Sequence, residues 1–540
     1  MSHRRHLKKL LGVLAAFAVL LPASVSAAML PAAAAAGPDL LPFTVANNTG
    51  RGDAVYLYVI GVNLSTGKLG YATAGGSFNN WPAGANPPSP APDVSIAGPG
   101  NGGSTAIRVP RGMSGRVYFS LGRKLNFFLT PDGLVQPAPW AAGDSNRDIL
   151  FDWSEFTYND AGLWLNSSQV DMFAIPHAVS VTNGSGATKS TGTLVANGRD
   201  NLINAMKSQP GWAGSVYTRS DGTVLRVLAP GKATDAGQLG ATYLDPYITG
   251  AWNAYTSKTL TVVPFADQPA TKYYGHTSGT TMTFTNSAGQ QVASFNKPSS
   301  ADVWGCAGNL AAPNDQVVGP ISRTLCAALN RGTLGTIDTQ PSTDAAAFYQ
   351  NNPTNQYAKA VHANMADGKA YAFAFDDVAN FESLVNDGDP RSAGISLNPF
   401  TGGGTTPPPT GGGSTSTIVS NWNGKCIDVP SANFSDGVPL QVWSCNGTNA
   451  QAWTFTGGAV RTQNNKCMDV AWGATTNGAV IQIAGCSGNA AQQFVLNSAG
   501  DLVNPQANKC VDIKDWNPND GAQLQLWDCA GTANQRWHKN

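Results

Sequence analysis

Six cysteines near the C-terminus, Cys426/Cys445, Cys467/Cys486 and Cys510/Cys529, fall into pairs of constant spacing and divide residues 418–540 into three units. Each unit opens with a Cys-x-Asp stretch: Cys426-Ile-Asp-Val, Cys467-Met-Asp-Val and Cys510-Val-Asp-Ile. An Asp-Gly or Asn-Gly turn and an apolar strand centred on Gln441, Gln482 or Gln525 come next. Each unit closes with Gln-x-aromatic, ending at Trp453, Phe494 or Trp537. A repeat of ~40 residues is too small to bury a core alone, so three must share one.

The rest of the chain sets the context. Its 540 residues predict several domains. Only 12% of residues are charged, with 33 Lys+Arg against 33 Asp+Glu, and no basic block suggests nucleic acid, nor an acidic tail a basic partner. Residues 1–36 read as a secretory signal: a basic start, an apolar run from Leu10 to about Leu21, then small residues with cleavage near 28 or 36. That run is shorter than the ~20 residues of a spanning helix, so no membrane anchor is expected. An even cysteine count in a secreted chain reads as disulfides, and Cys306/Cys326 could form a fourth bridge. Zinc is the weaker reading, because no Cys-x-x-Cys is present. A Gly/Thr/Pro stretch at 401–417 cannot bury a core and reads as a linker.

The threefold repeat resembles the ricin B-type β-trefoil, carbohydrate-binding module family 13, over essentially all of 418–540. The resemblance implies one sugar site per lobe: the Asp accepts from hydroxyls, an aromatic two residues before the second Cys stacks on the ring, and a polar residue five after it completes the site. The third lobe has all three, Asp512, Trp527 and Asn534. The first has Asp428 and Trp443 but Ala450 in the polar position. The second has Asp469 but Ala484 in the aromatic position, and is expected to be structural. The Gln-x-Trp side chains are expected in the core.

Residues 38–400 divide into a β-rich part (38–185) and a mixed α/β part (186–400). Runs at 54–63, 105–110 and 116–122 read as strands. Helices are expected at 197–208 with an Asp200 cap, at 245–257, at 322–330 and at 343–350. The stretch WSEFTYNDAGLWLNSSQVDMF, 153–173, reads as two extended runs about a turn at 159–162. It places Trp153, Glu155 and Thr157 on one face and brings Asp171 back to within a couple of residues of the position opposite Glu155. Cross-strand neighbours lie ~5 Å apart and diagonal ones ~7–8 Å. Two acids at that separation suit glycoside hydrolysis, inverting at ~6.5–9.5 Å and retaining at ~5–5.5 Å. Two solvated acids on a hairpin are the plain alternative.

That stretch, together with LPFTVANNTGRGDAVYLYVIG and YAFAFDDVANFESLVNDGDPRSAGISLNPF, resembles glycoside hydrolase family 64 over about 38–400. The resemblance implies a thaumatin-like β-rich barrel or sandwich and an inverting endo-β-1,3-glucanase that releases short laminari-oligosaccharides, typically the pentaose. Glu155 would be the general acid and Asp171 the general base. Thr157 and Asn159 would hydrogen-bond the glucan, and Trp164 would stack on it. As acid, Glu155 has to carry a proton, which an apolar setting from Trp153, Phe156 and Trp164 would favour. The alternatives are a non-catalytic thaumatin-like glucan-binding or antifungal protein and a glycosidase for another polymer. Neither metal nor organic cofactor is implied. The expected partner is β-1,3-glucan, and the expected form is a secreted monomer. Three further features read as bland: Asp376-Asp377, taken as adjacent strand residues on opposite faces; His177, taken as a satisfied polar group; and the Arg51-Gly52-Asp53 tripeptide.

Overall fold

The computed structural model describes residues 37–400 and 416–540, except 457–458, 463–465, 487–488 and 498. The expected signal segment and 401–415 of the expected linker lie outside the described residues.

Two sheets face each other across an apolar core. The smaller runs Thr188–Thr191, His177–Asn183, Pro390–Leu397, Leu40–Asn47, Ser104–Pro110. The larger runs Leu384–Asp387, Gly162–Ser167, Leu150–Asn159, Met113–Leu121, Val55–Asn63, Leu69–Ala72, Phe78–Asn80. Phe43, Val45, Val179 and Ile395 from the first meet Leu57, Val117, Phe156 and Leu165 from the second, all buried. The alternating apolar residues of each strand supply this core by period two. The three strands expected from the sequence form within a residue or three of their expected ends.

The first and last strands of this unit, Leu40–Asn47 and Pro390–Leu397, pair in parallel with Phe43 opposite Ala393. The β-rich and mixed parts therefore interleave: the chain leaves the sandwich after Thr191 and returns at Leu384. Between these points lie helices, two strands of a three-stranded sheet that Val224–Leu228 centres and Met172–Phe173 completes, and a five-stranded sheet. Their core includes Trp212, Trp252, Leu325 and Tyr357, and it reaches Tyr118, Phe151 and Trp153 on the outer face of the large sheet.

The helices correct several expectations. The first spans Gly198–Ser208, but its N-cap is Asn197 and Asp200 lies inside the first turn. The helix expected at 322 begins at Val318, because the Asp315 carboxylate accepts from the backbone N–H groups of Val317 (2.8 Å) and Gly319 (3.1 Å) and starts it a turn early. The expected helix at 343–350 is only a short 3-10 turn, Ala345–Ala347, capped by Asp344. Asp376 and Asp377 lie in a turn, not a strand.

The C-terminal unit has its own core, built from equivalent residues of three lobes: Ile427, Met468 and Val511; Val442, Ile483 and Leu526; Trp453, Phe494 and Trp537. The indoles of Trp453 and Trp537 donate to the carbonyls of Ile427 and Val511, so the Gln-x-aromatic residues are core, as expected. Four disulfides close Cys306–Cys326, Cys426–Cys445, Cys467–Cys486 and Cys510–Cys529. Among the described residues no helix is long and apolar enough to cross a membrane.

Candidate active site

The strand Leu150–Asn159 carries the site because its two faces serve different neighbours. Phe156 and Tyr158 point into the sandwich. Phe151 and Trp153 point the other way, under the mixed part. Glu155, Thr157 and Asn159 continue that second face beyond the cover. Same-face positions on a strand lie ~7 Å apart, so the three form a row. Pairing extends the row sideways: Arg116 and Asn166 flank Glu155, while Ser114 and Trp164 flank Thr157. The sheet thus brings Glu155, Thr157, Asn159 and Trp164 onto one face.

Asp171 arrives differently from the expectation. The residue opposite Glu155 is Asn166, and the partner strand ends at Ser167. The next residues leave the sheet and bend back toward the acid. Gln169 fixes that bend. It is buried, its amide donates to Ser167 Oγ (2.8 Å) and accepts from Tyr371 N–H (3.0 Å), and its backbone carbonyl accepts from the Tyr357 hydroxyl (2.7 Å). The Asp171 carbonyl accepts from Ala229 N–H at 3.0 Å. The mixed part therefore sets where Asp171 stands.

Arg116 joins the two carboxylates. Its Nε (3.0 Å) and Nη2 (2.9 Å) both reach Glu155 Oε1, and the same Nη2 lies 3.7 Å from Asp171 Oδ2. The separation of those two oxygens cannot exceed the two lengths from Nη2 laid end to end, ~6.6 Å, which meets the bottom of the inverting range of ~6.5–9.5 Å and also admits the retaining one. Both acids are partly exposed, with 20% and 17% of their side chains open to solvent. Lys232 Nζ adds a second cation, 3.4 Å from Asp171 Oδ1 and over the Trp140 ring.

Arg116 is itself held. Its Nη1 donates to Tyr118 and to Gln136, both at 3.3 Å, and its guanidinium lies 4.6 Å from the Trp153 ring centroid. Burial opposes its charge, but Tyr118, Glu155 and Asp171 outweigh that and push its pKa up. The apolar setting expected around Glu155 is corrected in two respects: Phe156 faces the opposite side of the sheet, and the Arg116 guanidinium is bonded to the carboxylate. Sequence reasoning missed Arg116, Lys232 and Gln169. Arg116 lies directly opposite Glu155, a neighbour that only the strand register reveals.

The expected glucan contacts are partly committed within the protein. The Thr157 hydroxyl shares a 2.8 Å hydrogen bond with Ser114 Oγ. Asn159 Oδ1 accepts from Ala161 N–H (2.9 Å) in the turn. Trp164 is half-buried. Beside Glu155, Asn166 is buried and its Oδ1 has no hydrogen-bond partner within the protein.

The trefoil lobes share a polar cradle. Gln441, Gln482 and Gln525 donate to Asp428, Asp469 and Asp512 at 2.7, 2.9 and 3.0 Å. In the third lobe Asn534 (2.7 Å) and Gln535 (3.0 Å) also donate to Asp512, and Trp527 is exposed. In the first, Gln451 donates to Asp428, Trp443 is exposed and Ala450 is buried. Burial pushes the Asp428 and Asp512 carboxyls up, against the amides that favour their charge.

Other candidates resolve into structure. Asp376 is buried between Arg331 (3.0 Å) and His362 (2.8 Å). Arg51 pairs with Asp53 at 2.7 Å. His177 is only half satisfied: Nδ1 bonds the Ile175 carbonyl at 2.8 Å, but buried Nε2 has no partner. Among the described residues no three His, Cys, Asp or Glu side chains converge to hold a metal ion.

An acid pair on the outer face of a β-sandwich, in line with hydroxyl, amide and indole side chains, is an arrangement that glycoside hydrolysis can use. The chain belongs to the glycoside hydrolase 64 family of β-1,3-glucanases, whose family model matches residues 39–397. Residues 414–537 match the ricin-type β-trefoil lectin domain. The chain is 45% identical to a glucan endo-1,3-beta-glucosidase of Arthrobacter sp. (strain YCWD3), over 81% of this chain and 82% of that protein. Identity and coverage are the same for the enzyme of that name from Cellulosimicrobium cellulans. The crystal structure of a laminaripentaose-producing beta-1,3-glucanase in complex with laminaritetraose is 53% identical, with a TM-score of 0.65, covering 67% of this chain and 99% of that one.

Proposed function

We propose that the protein is a secreted, monomeric endo-β-1,3-glucanase that cuts β-1,3-glucan into short laminari-oligosaccharides, chiefly the pentaose, with inversion. Glu155 protonates the leaving glycosidic oxygen, and Asp171 takes a proton from the water that attacks the opposite face of the sugar. Thr157, Asn159, Trp164 and Asn166 lie along the chain's path from the acid. The observation that supports this reading is Arg116, one nitrogen of which lies 2.9 Å from Glu155 and 3.7 Å from Asp171, so that the two carboxylates stand close enough to act on one glycosidic bond. The family and the 53%-identical laminaripentaose-producing enzyme support the substrate and product class. The four disulfides support export to an oxidising compartment.

The test is laminarin digestion followed by proton NMR of the anomeric signals. Laminari-oligosaccharides whose reducing ends form first as the α-anomer are expected. Glu155→Gln and Asp171→Asn each lower turnover by ~10²–10⁴-fold, the usual worth of a general acid or base, while the chain stays folded. β-Anomers forming first would replace inversion by a covalent intermediate, and wild-type rates in either variant would remove that residue from the chemistry.

A further inference from the structure

Every exposed tryptophan among the described residues lies in the trefoil: Trp443 (40%), Trp472 (100%), Trp516 (48%) and Trp527 (43%). Trp443 and Trp527 stand opposite Cys426 and Cys510, at the position expected to stack on sugar in lobes one and three. In lobe two that position, opposite Cys467, is Ala484. Trp516 packs edge-on against Trp422, with ring centroids 5.3 Å apart. Only Trp472 stands wholly in water.

Trp472 also sits where a bulky residue is unfavourable. It lies on the 3-10 turn Ala471–Gly473 with φ 61°. Ser431 (φ 53°) and Asp515 (φ 57°) occupy the matching turns of the other lobes. The left-handed region costs a non-glycine residue roughly 1–2 kcal/mol and is an outlier for a bulky one. A small or polar side chain, as at Ser431 and Asp515, fits this position, and the indole that lobe three carries one residue later, Trp516 at φ 52°, is packed against Trp422. Neither packing nor turn geometry accounts for Trp472.

The turn borders a cradle of which lobe two keeps the Asp–Gln pair. Asp469 is buried and held by Gln482 at 2.9 Å, as Asp428 and Asp512 are held by their own glutamines. A Cβ on Gly473 would lie 3.9 Å from the Ala491 Cβ, and Ala491 occupies the place from which Asn534 reaches Asp512 in lobe three. The turn that carries Trp472 therefore adjoins the rim of the Asp469 cradle.

We infer that lobe two is a sugar-binding site in which Trp472 on the turn replaces the missing platform at Ala484. Asp469 accepts from sugar hydroxyls, and the exposed indole stacks on a pyranose face. A platform standing clear of the surface suits an internal ring of a polymer lying across the lobe, not a terminal sugar in a pocket. The occupant is a neutral β-1,3-glucan strand; this choice of polymer rests on the proposed glucanase function, whereas the site does not.

The test is oxidative footprinting of the full-length Glu155→Gln chain, which holds glucan without cutting it. Modification of each tryptophan is read by peptide mass spectrometry with increasing laminarin. Trp472 is expected to be protected at least threefold, over the range of concentrations that protects Trp443 and Trp527. In the same background, Trp472→Ala lowers retention on insoluble curdlan at least twofold and Trp472→Phe restores most of it. If laminarin protects Trp443 and Trp527 but leaves Trp472 unchanged, the site is wrong and the glucan reading stands. If Trp472 is protected by xylan or galactan and not by laminarin, the choice of glucan is overturned and the site stands. No protection of Trp472 by any of the three overturns the proposal.

Discussion

One guanidinium touches both members of the acid pair. Arg116 reaches Glu155 at 2.9 Å and Asp171 at 3.7 Å from the same nitrogen, and Tyr118, Gln136 and Trp153 fix it in turn. It is a positioning residue that sets how far apart the two carboxylates stand. Misplacing a reacting group by ~1 Å can cost ~10²-fold. Arg116→Ala is therefore expected to lower kcat by roughly ten- to a hundredfold with KM nearly unchanged, and Arg116→Lys, which keeps the charge but loses the fork, to recover only part. Steady-state kinetics on laminarin checks this, and a change confined to KM would place Arg116 in substrate binding instead.

At the level of strands and turns, what was legible followed local period. Alternation gave the face of Glu155, Thr157 and Asn159, and the repeat gave three lobes with their core and cradle residues. What depends on long-range register was not legible. Asp171 lies outside the hairpin because Gln169, anchored by Tyr357 and Tyr371 some 200 residues later, draws the chain off the sheet. Arg116 lies on a strand whose pairing the hairpin alone does not reveal. The early start at Val318 came from an Asp315 cap that the Ser322 signal obscured. His177, first residue of its strand, has one ring nitrogen bonded and the other buried without a partner, against Phe119. Burial pushes its pKa down to about 4 from an ordinary 6.5. A lowered value means that the fold binds fewer protons than the unfolded chain between these pH values, so its stability contribution is full above pH 6.5 and is lost as pH falls toward 4. The amount is roughly 3 kcal/mol. Urea unfolding of wild type and His177→Asn at pH 7 and pH 4 checks this: the wild type should lose more stability over that interval, and equal slopes would exclude His177 as the cause.

Across the whole chain, the catalytic unit and the trefoil have separate cores. Joining two units that both hold the polymer in one chain makes the second binding event effectively intramolecular. Tethering matters on a solid and little on a dissolved oligomer. A chain ending at Phe400 is expected to keep its rate on soluble laminarin and to lose most of its rate on particulate curdlan at low enzyme concentration. Reducing-sugar release from both substrates measures this, and equal losses would deny the trefoil a targeting role.

The parallel pairing of Leu40–Asn47 with Pro390–Leu397 has a consequence for the order in which the molecule is made. The strand next to the N-terminal one in the sheet is among the last of the catalytic unit to be synthesised, so the sandwich cannot seal until some 350 intervening residues exist. Closing so long a loop is entropically slow. A nascent chain that stays open this long remains threadable, and under the proposed export it would cross a translocation pore before its sandwich could seal.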